Sequence, residues 1–118
     1  KATCLNGENQ FFGPITLLVT ANCAPWIRVE ADFLVQSREW DVWKYAQWIV
    51  QFYQGEKAIK TNFIRIQRHL PVDQVSTHLF FDVRVPSEPY DRCTMSIWNA
   101  ESPQTLLMDN LKVSCFED

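Results

Sequence analysis

No run of lysine or arginine occurs anywhere in this chain, and its net charge is −3. The electrostatic footprint of a nucleic-acid binder is therefore missing. No apolar stretch approaches the roughly 20 residues that span a bilayer as a helix, so direct membrane insertion of this piece is not expected. The four cysteines, Cys4, Cys23, Cys93 and Cys115, have no short spacing, which rules out a CxxC zinc or redox motif. Only two histidines are present, His69 and His78, and neither lies beside a serine or cysteine in a nucleophile motif. Acid pairs such as Glu88 and Asp91 fall in a proline-flanked loop, where solvated carboxylates are the default and glycosidase pairs are not. Catalysis thus finds almost no support, and the chain is expected not to be an enzyme. Internal repeats, low-complexity tracts and helix-period segments of useful length are also lacking.

What is present fits one compact domain spanning residues 1–118. Apolar residues make up 47% of the chain, which excludes a disordered reading. Five Trp and eight Phe are more ring than a core of this size needs, so some rings are expected on the surface. The chain opens at Lys1 without Met or a signal peptide. It is read as a piece excised from a longer secreted or membrane-anchored protein.

The dominant period is two, the mark of strands with one buried face. From Ile15 to Cys23 one side carries Ile15, Leu17, Val19, Ala21 and Cys23. After the Ala24-Pro25 turn, Ile27, Val29, Ala31, Phe33 and Val35 alternate with mostly polar neighbours. Ser37 to Ala46 breaks the alternation and reads as a loop or a short helical turn. Gln47–Tyr53 pairs with Ala58–Arg68 across a Gly-containing hairpin turn at residues 54–57. Leu79, Phe81, Val83 and Val85 form the next inward row, stopped by the prolines of residues 86–91. Cys93, Met95 and Ile97 give another, and Leu107, Asp109, Leu111, Val113 and Cys115 share one phase of the last strand. The sum is seven to nine short strands, the pattern of an all-β, two-sheet antiparallel sandwich. Two disulfides are possible, in any of three pairings. In the alternative, Cys23, Cys93 and Cys115 serve as small buried hydrophobes.

Trp98-Asn99, followed by Leu107-Met108-Asp109-Asn110-Leu111-Lys112-Val113, resembles the last two strands of galactose-binding-like jelly rolls of the carbohydrate-binding-module type. Leu5-Asn6-Gly7-Glu8-Asn9 faintly resembles the opening of the same modules. The resemblance implies a jelly-roll order of strands and an adhesive role in secreted or surface-anchored bacterial proteins, hence an extracellular or periplasmic location. It also implies a structural calcium held by Glu8 and Asp109 with backbone carbonyls, a donor set that suits the cation. The alternative for Asp109 is a hydrogen bond to backbone N–H groups.

Two groups of side chains are candidates for ligand binding. Trp40, Trp43 and Tyr45 lie in the irregular stretch, where exposed rings can stack on the apolar face of a sugar; otherwise they fold over the end of the sandwich as a lid. Arg28, Asp32, Phe80, Asp82, Arg84 and Trp98 combine forked polar groups with rings, as sugar sites do; otherwise they are cross-strand charge pairs on a solvated face. The expected function is non-catalytic recognition of a carbohydrate. The rival is a structural module that packs against its own parent protein or another chain and binds no sugar. Exposed rings in a row would favour the first, and rings buried under loops the second.

Overall fold

The computed structural model describes residues 3–17, 25–36, 45–70, 74–100 and 104–117. Eight strands run through them: β1 (Thr3–Leu5), β2 (Phe11–Leu17), β3 (Trp26–Val35), β4 (Gln47–Gln54), β5 (Lys57–Arg65), β6 (Thr77–Arg84), β7 (Arg92–Trp98) and β8 (Leu106–Phe116). They form two four-stranded antiparallel sheets, ordered β1-β8-β3-β6 and β2-β7-β4-β5. This is the expected all-β sandwich. Helical structure among the described residues amounts to one 3-10 turn, Ile66–His69.

Strict alternation is why β3 sits at the middle of its sheet. Ile27, Val29, Ala31, Phe33 and Val35 are fully buried, while the residues between them are half-buried on the other face. Both neighbours answer this row in register. Val29 stands opposite Phe81 of β6 and Val113 of β8. In the second sheet β4 plays the same part, with Trp48, Val50 and Phe52 buried and paired to Ile97, Met95 and Cys93 of β7. The two inward rows meet at Trp48, whose ring packs edge-on against Phe33 at 4.9 Å and against Phe81 at 5.1 Å between centroids. Aromatic pairs favour this geometry because the positive ring edge meets the negative face.

Three expectations need correction. The strand expected from Ile15 already begins at Phe11, and its inward residues Ile15 and Leu17 oppose Met95 and Cys93 as the alternation requires. Val19, Ala21 and Cys23 lie outside the described residues. The strand expected to run to Arg68 stops at Arg65, where the 3-10 turn takes over. There Gln67 is buried and its side-chain oxygen accepts the Ala46 N–H at 2.8 Å, closing the entrance to β4.

The third correction concerns β8. Its pairing with β3 jumps from Glu30↔Lys112 to Asp32↔Asp109, so one extra residue of β8 is accommodated there. Asn110 takes a left-handed conformation (φ 56°) at this bulge, which Asn tolerates better than most side chains. One inserted residue exchanges the two faces of a strand. Leu106 and Met108 therefore point inward before the bulge, and Leu111 packs on the core after it. Asp109 leaves the core row to which simple alternation assigned it.

A second irregularity lies between Phe12 and Ile15 of β2. Gly13 there has φ +84°, and a side chain on it would come within 2.8 Å of the Met95 carbonyl oxygen. Only glycine fits without strain.

The thiols divide as follows. Cys115 is disulfide-bonded, and Cys23 lies outside the described residues. Cys4 and Cys93 are free, the first exposed and the second buried. The small-hydrophobe reading thus holds for Cys93 and is replaced by a covalent bond for Cys115.

Removing the ring at the centre of the core should be costly. Trp48→Ala is expected to lose about 3–5 kcal/mol of unfolding free energy, measured by urea titration. Phe63→Ala, whose ring is 44% exposed on an outer face, should lose under about 1 kcal/mol by the same method. Comparable losses from the two would mean that the inward and outward rows are exchanged.

Candidate functional site

Each sheet turns one face to solvent, and the two faces differ in chemistry. On the first sheet, β3 presents Trp26, Arg28, Glu30 and Asp32. Across from them lie Arg84, Asp82, Phe80 and His78 of β6, in that order. These groups are spent on one another. Arg28 forks onto Asp82 through Nε at 2.8 Å and a terminal guanidinium nitrogen at 3.1 Å. Its guanidinium lies 4.3 Å from the Phe80 ring centroid and 5.1 Å from that of Phe116. Arg84 lies over Trp26 at 5.4 Å. The hydrogen bond to Asp82, ahead of any other effect, holds the Arg28 pKa above its usual value.

His78 is clamped beside this fork. Its Nδ1 lies 2.7 Å from Asp32 Oδ1 and its Nε2 lies 2.9 Å from Glu30 Oε1. Ionised carboxylates only accept, so two such partners require a ring that donates from both nitrogens, the imidazolium. The bond to Asp32, then that to Glu30, raises the His78 pKa. Asp32 also accepts from Asn110 Nδ2 at 2.7 Å, the larger of the causes that lower its pKa. The β8 bulge is what brings Asn110 there.

On the second sheet the outer face carries rings and neutral polar groups. One row crosses all four strands, Phe11–Trp98–Gln47–Arg65. The next holds Ser96, Ile49 and Phe63, the third Thr16, Thr94, Gln51 and Thr61, and the last Arg92 beside Tyr53. Phe11 and Trp98 are stacked nearly parallel, 14° between planes and 6.3 Å between centroids. Phe11 is 61% exposed. Arg65 lies over Phe63 and Arg92 over Tyr53, at 5.3 and 4.3 Å. Tyr53 Oη donates to Gln51 Oε1 at 2.9 Å, and Gln51 Nε2 donates to Thr61 Oγ1 at 3.3 Å. No hydrogen bond among the described residues occupies the side chains of Gln47 and Ser96. This face offers flat apolar area next to free donors and acceptors, which the first face does not.

The expected site residues divide accordingly. Phe80 and Arg84 lie on the first sheet with Arg28, Asp32 and Asp82, whereas Trp98 belongs to the second, so the six do not share a face. Strand neighbours cannot be read from a single sequence. Tyr45 is partly buried against the core, the lid arrangement. Trp40 and Trp43 lie outside the described residues. Phe11, Gln47, Tyr53 and Phe63 were missed; the outward phase of Gln47–Tyr53 was a signal for Gln47 and Tyr53, whereas Phe11 and Phe63 join the face through strand order alone.

Glu8 and Asp109 are not brought together. β1 and β8 are antiparallel, from Thr3 opposite Met108 to Leu5 opposite Leu106, so Asp109 lies beyond the first end of this pair and Glu8 beyond the other. Glu8 sits in a turn held by Asn6, whose Oδ1 accepts the backbone N–H groups of Glu8 and Asn9, each at 2.9 Å. Asp109 Oδ1 accepts the Asn110 backbone N–H at 2.8 Å, the hydrogen-bond alternative. Among the described residues no group of three or more His, Cys, Asp or Glu converges on one point. The pair does not fit a shared calcium.

The His78 clamp generates a pH prediction. A raised folded-state pKa gives stability that is complete below the unfolded value of about 6.5 and is lost as pH rises through the folded value. The lowered pKa of Asp32 gives stability present above about 3.9, and lost as pH falls through its folded value. The melting temperatures of wild type and His78→Gln should therefore differ most between about pH 4 and 6.5 and converge in alkali. A difference that grew above neutrality would contradict the doubly bonded imidazolium.

No protein-family model matches this sequence, and no curated protein matches it. Solved structures do. A family 16 carbohydrate-binding module is similar at 15% identity and a TM-score of 0.61, over 93% of this chain and 73% of that one. A structure described as "CBM4 structure and function" is similar at 8% identity and a TM-score of 0.51, over 98% of this chain. The chain spans 59% of that second structure's length. The fold is thus the jelly roll of carbohydrate-binding-module structures, as the Trp98-Asn99 and Leu107-to-Val113 strands led one to expect.

Proposed function

We propose that the chain is a non-catalytic recognition module that binds a carbohydrate on the outer face of the second sheet. The observation that carries this reading is the row Phe11–Trp98–Gln47–Arg65 across all four strands, which places the exposed Phe11 ring and the half-buried Trp98 ring stacked on it next to the uncommitted side chain of Gln47. A sugar ring has apolar C–H faces and an equator of hydroxyls. Stacking serves the faces, and Gln, Ser and Arg serve the hydroxyls. Extended strands repeat same-face side chains about every 6.6–6.8 Å along the chain and about every 4.8 Å across it. Such a grid suits several units of an oligosaccharide better than one deep pocket does.

The fold likeness to carbohydrate-binding modules supports the same reading. The disulfide at Cys115 supports an oxidising, extracytoplasmic setting, where such bonds persist. Anchoring to a cell surface through a longer parent protein belongs to the same proposal.

Binding of polar ligands on open faces is weak, because water contacts given up nearly balance those gained. A glycan panel should therefore reach about millimolar concentration, where binding is still worth about 4 kcal/mol. Tryptophan emission is expected to change with a neutral oligosaccharide, and Trp98→Ala to abolish that change. Phe11→Ala should weaken affinity about tenfold, or about 1.4 kcal/mol, and Phe80→Ala on the other sheet should leave it unaltered. Emission unmoved across the panel would sink the proposal in favour of a module that packs on its parent or on another chain.

A further inference from the structure

The outer face of the second sheet carries charge of one sign. No aspartate or glutamate stands in any of its four rows, whereas Arg65 closes the first row on β5 and Arg92 stands in the last on β7. The chain as a whole is at −3, so this face runs against the balance of the molecule.

Arg28 on the other sheet shows an arginine–ring contact that is spent within the protein. It lies on Phe80 and also forks onto Asp82. Arg65 over Phe63 and Arg92 over Tyr53 have the ring but not the acid. Neither forms an ion pair with any carboxylate among the described residues. Asp91, next to Arg92 in the chain, instead accepts the Gly55 backbone N–H at 2.7 Å. A guanidinium resting on a ring keeps its N–H donors at its edge, where they can fork onto the paired oxygens of an oxyanion.

Spacing separates a polymer from a small anion. Gln47, opposite Arg65, and Tyr53, opposite Arg92, are six positions apart on β4, about 20 Å of extended strand. No single sugar unit reaches both arginines. A chain of several units laid along β4 meets one near each end, with Gln47, Ile49 and Gln51 beneath it and Trp98 beside it.

We propose that the ligand of this face is an acidic polysaccharide, whose oxyanions, uronate or sulfate, are held at Arg65 and Arg92. This rests on the outer-face reading and narrows it. A neutral oligosaccharide engages the rings and amides of the face, and an acidic one adds the two guanidinium forks.

The test measures calorimetry and tryptophan emission with uronate and sulfated hexasaccharides, each beside its methyl-esterified or desulfated counterpart. At about 0.02 M salt an acidic member is expected to bind about tenfold tighter than its neutral counterpart. At about 0.5 M the two should come within about twofold, because exposed charges are screened. Arg65→Gln combined with Arg92→Gln should bring the acidic-to-neutral ratio to about one at low salt, whereas Arg84→Gln on the other sheet should leave it at about tenfold. The salt titration of the unaltered chain tests the same charges without any substitution. A preference confined to the uronates or to the sulfated members supports the proposal and names the oxyanion. No preference at low salt, a preference that survives high salt, or one abolished by Arg84→Gln would overturn it. If the neutral members still change the emission in that event, the outer-face reading stands. Silence across the whole panel overturns both.

Discussion

The contact between the two sheets at Trp48 is the constraint on which the rest depends. Its ring comes from β4 of one sheet and packs edge-on between Phe33 of β3 and Phe81 of β6 in the other. Three strands are thereby fixed in phase at once, because a slip of one residue in any of them would turn its ring to solvent. Every outward side chain inherits its position from this inward register. Gln47 lies outward because Trp48 lies inward, and Phe80 because Phe81 does.

The two outer faces show how one scaffold can hold opposite kinds of surface. On the first sheet, Arg28, Asp82, Glu30, His78 and Asp32 satisfy one another through short bonds and ring contacts. A ligand there would have to break bonds before making any. On the second, the long polar side chains are amides, hydroxyls and arginines lying on rings, whose capacity for hydrogen bonding is only partly used. Residue composition alone does not separate the two cases, since both faces carry arginines and aromatic rings. Pairing between neighbours does.

Much of the fold was legible because alternation was clean. Ile27 to Val35, Leu79 to Val83, and Cys93 to Ile97 all lie where period two puts them. The last strand was not legible in the same way. A single extra residue at Asn110 reversed the phase, and nothing in the apolar pattern marks where such a residue sits. The proposed binding face was only partly visible for a different reason. Trp98 could be recognised as an outward ring, but its neighbours Phe11 and Gln47 are remote in sequence, and only strand order brings them together. Asp109 stood out as a carboxylate in a core row because the row itself was wrongly continued through the bulge.

Cys93 carries a consequence for biosynthesis. Burial pushes its thiol pKa up to about 12, so the nucleophilic thiolate is almost absent at any physiological pH. The same chain contains a disulfide at Cys115 and an exposed thiol at Cys4, which makes scrambled pairing a hazard while the polypeptide is still open. Once β7 is sandwiched between β2 and β4, Cys93 drops out of exchange chemistry altogether. The oxidation pattern is then decided by the order of events, with core closure acting as the step after which an incorrect bond to Cys93 can no longer form.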